Sequence, residues 1–170
     1  MSTRHTRIDT ALGELTLVAD GDTLVGVYFP HHWYPPSPEA IGPPVRTDAD
    51  PLLAKAAEQL DEYLSGRRTT FNVAIATTGD AFLESVWRLL REIPYGATTT
   101  YGELADHLGD PTLARMVGQA VGHNPLSIVI ACHRVVGKNG SLTGYAGGID
   151  RKRRLLLLEQ PHPAEVGRLC

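Results

Sequence analysis

Cysteine is scarce in this chain of 170 residues, in which only Cys132 and Cys170 occur. Two cysteines cannot build a disulfide framework, and a lone internal cysteine is typical of a reducing compartment. The two are not closely spaced, which argues against a thiolate zinc site and against a zinc deaminase site. The sequence therefore predicts no metal centre, and it leaves Cys132 as a candidate for chemistry of its own.

Long apolar runs are missing as well. The longest run of leucine covers residues 155–158, far below the roughly 20 apolar residues that span a bilayer. The opening segment MSTRHTRIDTALG has no apolar stretch followed by a small-residue cleavage site, as a secretory leader would have. With 42% hydrophobic and 21% charged residues the composition is that of a folded globular protein. We expect it in the cytoplasm, without membrane contact.

An excess of positive charge is also absent, since the formal net charge is -3. The charge is unevenly spread: residues 1–80 carry six Lys and Arg against eleven Asp and Glu, whereas residues 81–170 carry ten against eight. Any contact with nucleic acid phosphates is therefore expected from the second half.

Alternating apolar residues predict an antiparallel sheet at the start of the chain. The segments TRIDT, ELTLVA and LVGVYF are separated by the turn sequences ALG and DGDT, and TFNVAIA alternates like a further strand of the same sheet. Residues 30–51 contain seven prolines and are predicted to form a long surface connection. Residues 52–65 are predicted to form a helix that ends at Gly66. The predicted apolar face of this helix consists of Leu53, Ala57, Leu60 and Leu64. Together these elements predict an α/β domain over residues 1–77.

The second half is predicted to be mostly helical. Asp80 is a helix N-cap, and TYGE at residues 100–103 is a capping box for a short helix that ends before Gly109. Asp110-Pro111 is a typical start for the next helix, TLARMVGQAVG. Two short helices joined by a glycine-containing turn have the form of a helix-turn-helix.

The segment after this pair leads to the cysteine. SIVI at residues 127–130 is predicted to be a buried strand that delivers Cys132, and a glycine-rich loop, GKNGSLTGYAGG, follows. Asp150 is expected to cap a final helix that reaches about Gln160. The second domain is therefore predicted over residues 78–162, with a tail at residues 163–170.

Cys132 itself has two possible interpretations. A cysteine behind a Val/Ile run is usually a packed core residue. The polar pair His133-Arg134 and a glycine-rich segment follow at once, however, which favours a reactive thiol close to a ligand. Because a free thiol has a pKa of about 8.5, reactivity needs a nearby base or positive charge. Neighbours on a strand point to opposite faces, so His133 serves Cys132 only if the chain bends or a water bridges them.

Other candidate residues each have an ordinary explanation too. Arg115 is the one charge of ARMVGQAVG, whose small side chains suit backbone or minor-groove contact, yet a lone arginine is commonly a solvated helix residue. Tyr101 is by default a half-buried aromatic residue, Asn124 a turn residue and Glu159 a carboxylate on a helix face. The run RKRR at residues 151–154 is most often a solvated helical turn.

Four segments together resemble the O6-alkylguanine-DNA alkyltransferases in order and spacing: IPYGATTTYGELA, LARMVGQAVGHNP, IACHRVVGKNGSLTGYAGG and RKRRLLLLE. The resemblance is close over about residues 70–160, and the first seventy residues agree in layout. It implies an α+β fold. A small N-terminal antiparallel sheet with a helix, in a ribonuclease H-like layout, would precede a helix-turn-helix, winged-helix-like domain that carries the active site.

The activity that this resemblance implies is DNA repair. Such a protein binds duplex DNA, flips an alkylated guanine out of the stack and takes the alkyl group irreversibly onto its cysteine. O6-methylguanine would be the main substrate, with larger alkyl groups and O4-alkylthymine as extensions. No cofactor is implied, because the thiolate is consumed and each molecule acts once. We expect a monomer, and the sequence leaves open whether it binds cooperatively along DNA.

The resemblance also assigns roles to the candidate residues. Cys132 would be the acceptor, His133 would take its proton through a water, and Glu159 would orient the imidazole. Tyr101 would donate a hydrogen bond to the guanine ring, and Asn124 would brace the turn between the recognition helix and the site.

Further residues would contact the duplex or the flipped base. Arg115 would fill the space that the flipped base leaves. The other residues expected to contact DNA are Thr100, Tyr101, Ala114, Met116, Gly118, Gln119 and Arg134. The pocket for the base would be lined by Val135, Tyr145, Ala146, Gly147 and Gly148.

Two positions depart from the family pattern. Ala131 stands where the family usually has proline, which puts the positioning of the cysteine in question. Met116 stands where a small residue is usual. Two other functions stay open from the residues alone: a lesion binder or regulator that does not react, and a cysteine hydrolase with a Cys-His-Glu set. Cys170, at the end of the chain, is expected to be a free thiol without a role.

Overall fold

The chain folds into two units. The computed structural model describes residues 3–160. Its contacts separate two units, one made of Met1–Thr77 with Pro125–Val129 and the other of Thr78–Asn124 with Ile130–Cys170. The predicted tail and Cys170 lie outside the described residues.

The first unit contains a three-stranded antiparallel sheet, as the alternation predicted. Strands β1 (Thr3–Thr10), β2 (Gly13–Asp20) and β3 (Thr23–Tyr28) are neighbours in chain order. Two-residue turns connect them, and Thr10 pairs with Gly13 and Asp20 with Thr23 at their ends. The second turn uses Gly21 in the left-handed region, at φ 59°.

The predicted fourth strand is not formed. The segment TFNVAIA contributes a single parallel bridge between Leu24 and Ile75, with the Leu24 N–H donating to Ala74 O at 2.8 Å. The prediction of a full strand was wrong because alternation records which side chains turn inward and not whether the backbone has a partner along its whole length.

Helices cover the sheet of this unit. The proline-rich segment predicted as a plain connection contains a short helix, α1 (Pro38–Ile41), and a 3₁₀ turn, Thr47–Ala49. Helix α2 (Pro51–Leu64) starts where Asp50 accepts hydrogen bonds from the N–H groups of Leu52 and Leu53. It packs on all three strands. Its buried face shares Leu53 and Leu60 with the predicted one, but Ala56, Gln59 and Tyr63 are buried in place of Ala57 and Leu64.

The second unit is mainly helical. Helix α3 (Ala81–Arg91) is capped by Asp80, as predicted, and the Trp87 indole N–H donates to Ala120 O at 2.9 Å. A two-residue strand, β4 (Thr99–Thr100), pairs in parallel with β5 (Val135–Val136). This pairing places the start of the helix-turn-helix next to the segment that follows Cys132.

The two predicted helices of the helix-turn-helix are present. Helix α4 (Tyr101–His107) is capped by Thr100, whose hydroxyl accepts from the Glu103 N–H at 3.1 Å. Asp110 caps a 3₁₀ turn, Pro111–Leu113, which leads into α5 (Ala114–Gly122). Helices α4 and α5 pack on each other, and α5 also packs on α3.

The final helix begins two residues earlier than predicted. Helix α6 (Ile149–Glu159) has Gly148 at its N-cap, with φ 94°, and Asp150 lies inside its first turn. A carboxylate there still interacts favourably with the helix dipole, but it does not cap the helix as predicted. No helix within residues 3–160 is long and apolar enough to cross a membrane.

Candidate active site

The chain bends sharply just before Cys132. The predicted strand SIVI is absent; Ile128 lies in the left-handed region at φ 72°, and the Val129 N–H donates to Ser127 O. Ala131 (φ -79°, ψ 63°) is the centre of an inverse γ-turn, closed by the Cys132 N–H on Ile130 O at 2.8 Å. The prediction failed because a β-branched apolar run is equally compatible with a buried turn.

This bend determines how Cys132 and His133 face each other. Both lie in a 3₁₀ turn, Cys132–Arg134, which has about three residues per turn. Neighbouring side chains are therefore separated by about 120° and do not point to opposite faces as they would on a strand. The bend that the sequence required for a Cys-His pair is present.

His133 is fixed by a carboxylate at the end of α6. Its Nε2 lies 2.8 Å from Glu159 Oε2, and both side chains are buried. Because a carboxylate only accepts hydrogen bonds, Nε2 carries the proton of the ring. Burial lowers the pKa of His133, and the Glu159 carboxylate acts in the opposite direction. At neutral pH the ring is therefore uncharged, with Nδ1 as its basic nitrogen.

Arg134 holds the same carboxylate. Its Nε and Nη2 donate to Glu159 Oε1 at 2.8 Å and Oε2 at 2.9 Å, and its Nη1 donates to Ile93 O. Its guanidinium also lies 5.6 Å from the centre of the Tyr95 ring. The structure thus contradicts the prediction that Arg134 contacts DNA, because this side chain is buried and its donors are directed into the unit.

The Cys132 thiol is almost completely covered, with 3% of the residue exposed. Burial raises its pKa. A hydrogen bond from Asn124, the positive charge of Lys152 and a hydrogen bond from Tyr145 act in the opposite direction. Burial is the larger effect, so the pKa of the thiol lies above its ordinary value, and these three groups offset the effect of burial in part.

Asn124 also fixes the backbone around the bend. Its Nδ2 donates to Ile130 O at 2.8 Å, and the side chain is buried. The bond joins the end of α5 to the first residue of the γ-turn. Asn124 thus links the end of α5 to the turn that leads to Cys132.

The predicted pocket residues surround the cysteine in part. Val135, Tyr145, Ala146 and Gly147 are buried, whereas Gly148 is exposed. The Gly147 carbonyl accepts a hydrogen bond from Arg151 at 3.0 Å. The Tyr101 hydroxyl lies 2.9 Å from Thr143 Oγ1. Burial raises the pKa of Tyr101 and keeps its proton available for donation.

Helix α5 presents one open face. Val117, Ala120 and Val121 are buried, and the residues of this helix that were predicted to contact DNA lie on its remaining surface. Arg115 has no hydrogen-bond or ion-pair partner in the part of the chain that the structure describes, and Met116 is 49% exposed. The open face consists of Ala114, Arg115, Met116, Gly118 and Gln119.

Sequence reasoning missed one residue of the site. Lys152 was interpreted as part of a solvated turn, but it is fully buried, and its Nζ donates to Thr143 O and Gly144 O. A signal was present in the sequence, because Lys152 lies three residues before Leu155 and four before Leu156, on the apolar side of the helix.

Comparison with known proteins places both units. The DNA binding domain of the 6-O-methylguanine DNA methyltransferase family matches residues 81–161, and its ribonuclease-like domain matches residues 3–77. The methylated-DNA–protein-cysteine methyltransferase of Mycobacterium bovis is 44% identical over 94% of each chain. That of Haemophilus influenzae is 38% identical over 92% of this chain and 86% of its own.

Solved structures agree with these matches. Mycobacterium tuberculosis OGT in complex with DNA is 43% identical over 93% of each chain, with a TM-score of 0.85. An O6-methylguanine DNA methyltransferase from Methanococcus jannaschii is 27% identical, over 91% of this chain and 92% of its own, with a TM-score of 0.65. Since the identity extends over nearly the whole chain and the α+β fold agrees, this protein belongs to the 6-O-methylguanine DNA methyltransferase family.

Proposed function

We propose that this protein repairs O6-alkylguanine in duplex DNA by transferring the alkyl group to Cys132, once per molecule. The observation that carries the proposal is the buried thiol beside a neutral His133 whose Nε2 is fixed by Glu159. Membership of a DNA methyltransferase family supplies the reaction class. O6-methylguanine is the main substrate, and O4-alkylthymine is an extension of the same chemistry.

The transfer is a single displacement. The Cys132 proton passes through a water to Nδ1 of His133, and the thiolate attacks the alkyl carbon. A carbon–sulfur bond forms while the bond from that carbon to guanine O6 breaks, and the electron pair stays with the guanine. The Tyr101 hydroxyl donates a hydrogen bond to the ring. The guanine anion takes up one proton from water and leaves as normal guanine, and His133 returns the thiol proton to water, so that the protons balance. The thioether does not turn over, so the protein acts once.

Base flipping follows from the burial of the thiol. With 3% of Cys132 exposed, an alkyl group inside a stacked duplex has no route to the sulfur. The guanine therefore leaves the stack at a cost of a few kcal/mol, least for a poorly paired damaged base. The open face of α5 lies in the minor groove, and Arg115 occupies the space that the base vacates. Val135, Tyr145, Ala146, Gly147 and Gly148 receive the base.

The protein acts as a monomer in the cytoplasm in this proposal. The contacts to DNA come from the second unit, whose half of the sequence carries the excess of Lys and Arg. Phosphate contacts release counterions, so binding to DNA weakens steeply with salt. Within residues 3–160 no group of three His, Cys, Asp or Glu could hold a metal ion.

The test is mass spectrometry of the protein after mixing with a duplex that contains one O6-methylguanine. We expect one methyl group on the Cys132 peptide, stoichiometric with protein, and none with undamaged DNA. Cys170→Ser is the matched control and should transfer normally, whereas Cys132→Ser should bind without reacting.

Two results would overturn the proposal. An unmodified Cys132 in a protein that holds the lesion tightly would show a binder. Multiple turnover on a small ester or amide without DNA would show a hydrolase.

A further inference from the structure

Lys152 is a buried cation without an acidic partner. Its side chain is 0% exposed, and its Nζ donates to Thr143 O at 3.3 Å and Gly144 O at 3.4 Å. No carboxylate in the part of the chain that the structure describes pairs with it. Two carbonyl groups solvate an ammonium group only in part, and burial lowers the pKa of Lys152 to about 8. Such a group is costly to keep charged unless a negative charge is close.

The nearby acidic charge is already neutralised. Both oxygens of Glu159 accept hydrogen bonds from Arg134, which balances the carboxylate with a full positive charge. His133 is neutral, and burial raises the pKa of Tyr101, which keeps its proton at physiological pH. Among the titratable groups around Cys132, the positive charge of Lys152 is therefore the one that no carboxylate balances.

The Cys132 sulfur is the group that can balance this charge. The loop that Lys152 holds continues directly into Tyr145, which hydrogen-bonds to the thiol. Lys152 and Cys132 also interact electrostatically, which raises the pKa of the first and lowers that of the second. Once the proton of the thiol has passed to His133, the Lys152 ammonium lies where it stabilises the negative charge of the thiolate.

We propose that Lys152 is the counter-charge of the Cys132 thiolate, a positioning residue that sets how much of the thiol is deprotonated while it holds the pocket loop at Thr143 and Gly144. This inference deepens the proposed alkyl transfer and rests on it for its role in repair. The His133–Glu159 pair then moves the proton, and Lys152 stabilises the negative charge that remains.

Alkylation removes this negative charge. The thioether is neutral, so the positive charge of Lys152 is no longer balanced by a thiolate when the reaction is complete. By linkage, the pKa of Lys152 falls when Cys132 is alkylated, by the same amount that Lys152 lowers the pKa of the thiol.

The first experiment measures the reactivity of the thiol without DNA. In a Cys170→Ser background, the rate of Cys132 alkylation by iodoacetamide is followed against pH. In Lys152→Met we expect the inflection to move up by about one pH unit, the lower end of the effect of a nearby opposite charge. Lys152→Arg should restore most of the shift. Arg153→Met, which removes a charge from the same helix, should leave the inflection unchanged.

The second experiment keeps the wild-type side chain and therefore does not depend on a folded Lys152→Met variant. In the same background, the pKa of the Lys152 ammonium is measured by nitrogen-15 NMR before and after methylation of Cys132 with iodomethane. We expect it to fall on methylation. An inflection that stays in place in a folded Lys152→Met protein, or a Lys152 pKa that does not change on methylation, overturns the inference.

These readouts also separate the inference from the proposed function. Neither one uses DNA, so a chain that shows both shifts but takes no methyl from O6-methylguanine would overturn the repair function alone. A chain that repairs DNA and shows neither shift would overturn the role of Lys152 alone.

Discussion

At the scale of the residue, Ala131 shows that a departure from the family pattern need not disturb the site. The family usually has proline here, and alanine raised the question of how firmly the cysteine is held. In the structure Ala131 has φ -79°, within the range of proline, and its N–H has no acceptor among residues 3–160. The γ-turn supplies the geometry that a proline ring would impose.

Ala131→Pro is therefore expected to be tolerated. Proline fits this backbone and restricts the unfolded chain, so the free energy of unfolding should rise by about 0.5–1 kcal/mol. The rate of methyl transfer should stay within roughly twofold, because no hydrogen bond to the cysteine is lost. Denaturant unfolding and single-turnover transfer measure the two effects.

A neighbouring position provides the control for this substitution. The Val129 N–H donates to Ser127 O at 2.8 Å, so Val129→Pro removes a hydrogen bond that the turn uses and should destabilise the protein. A more than tenfold loss of transfer in Ala131→Pro would show that the Ala131 N–H is needed.

At the scale of the element, α5 illustrates how a helix is divided between core and surface. Its apolar face packs on α3 and α4, and its open face includes the small residues Ala114 and Gly118. The cost of glycine in a helix interior is about 1 kcal/mol relative to alanine. Gly118 is thus unfavourable for the helix, which is expected where a close approach to a ligand is needed.

Gly118→Ala should separate stability from DNA binding. A Cβ at this position would lie 3.7 Å from Tyr101 Cδ1, an ordinary contact, so we expect the free energy of unfolding to rise by up to about 1 kcal/mol. The methyl group would keep α5 away from the groove and weaken binding to lesion DNA, on the order of fivefold to tenfold in Kd. Denaturant unfolding and a titration with fluorescent DNA measure these effects.

Gly102→Ala is the matched control for the effect on stability. A Cβ there would come no closer than 3.9 Å to its nearest neighbour, Thr100 Oγ1, so the gain in helix stability should be similar. Unchanged DNA affinity in Gly118→Ala would contradict the placement of this face in the groove.

At the scale of the whole molecule, the chain leaves the second unit and returns to it just before the cysteine. Residues 125–129 belong to the first unit, where the Val27 N–H donates to Pro125 O and the Ser127 N–H to Val27 O. Asn124 and Ile130, the residues on either side of this segment, belong to the second unit. The hydrogen bond from Asn124 Nδ2 to Ile130 O joins them. One side chain thereby fixes both ends of the segment that leads to Cys132.

Asn124→Ala should release the two ends of the segment at residues 125–129 from each other. It removes the bond to Ile130 and the hydrogen bond to the thiol, so we expect the free energy of unfolding to fall by about 1–3 kcal/mol. Transfer should slow by roughly tenfold or more, since the thiol loses a donor and its position. Denaturant unfolding and single-turnover transfer are the measurements.

Asn72→Ala is the comparison for this variant. The Asn72 side chain accepts a hydrogen bond from Gln59 within the first unit, so its loss should also reduce stability. Transfer should stay close to that of the wild type in Asn72→Ala. Equal slowing in both variants would show that Asn124 acts through stability alone.

Local signals predicted the elements that depend on neighbouring residues. Asp80 and Thr100 cap their helices as expected, because a capping side chain needs only the next three residues. The strand predicted at 127–130 and the one at the end of the first domain failed for the opposite reason. A strand needs a partner elsewhere in the chain, and a buried turn has the same apolar composition.

The candidate site likewise has features that the sequence predicted and features that depend on distant segments. The resemblance named Cys132, His133, Glu159, Tyr101 and Asn124, and the structure brings these residues to the bend at Ala131 or to the elements that pack around it. The resemblance could not show that Arg134 turns inward to Glu159, because nothing in the local sequence indicates which carboxylate a guanidinium will bind. Lys152 was missed because a basic run predicts solvation, and burial is decided by packing.

The sequence by itself determined the family, the order of the helices and the candidate for the reactive residue, since motifs, caps and apolar periodicity are local properties of the chain. Only the tertiary structure decided the environment of that residue. The path of the chain at Ala131, the pairing of Arg134 with Glu159 and the burial of Lys152 depend on segments that are distant in sequence. Burial and nearby charges determine whether a thiol becomes a thiolate, so the reactivity of Cys132 is a property of the folded protein.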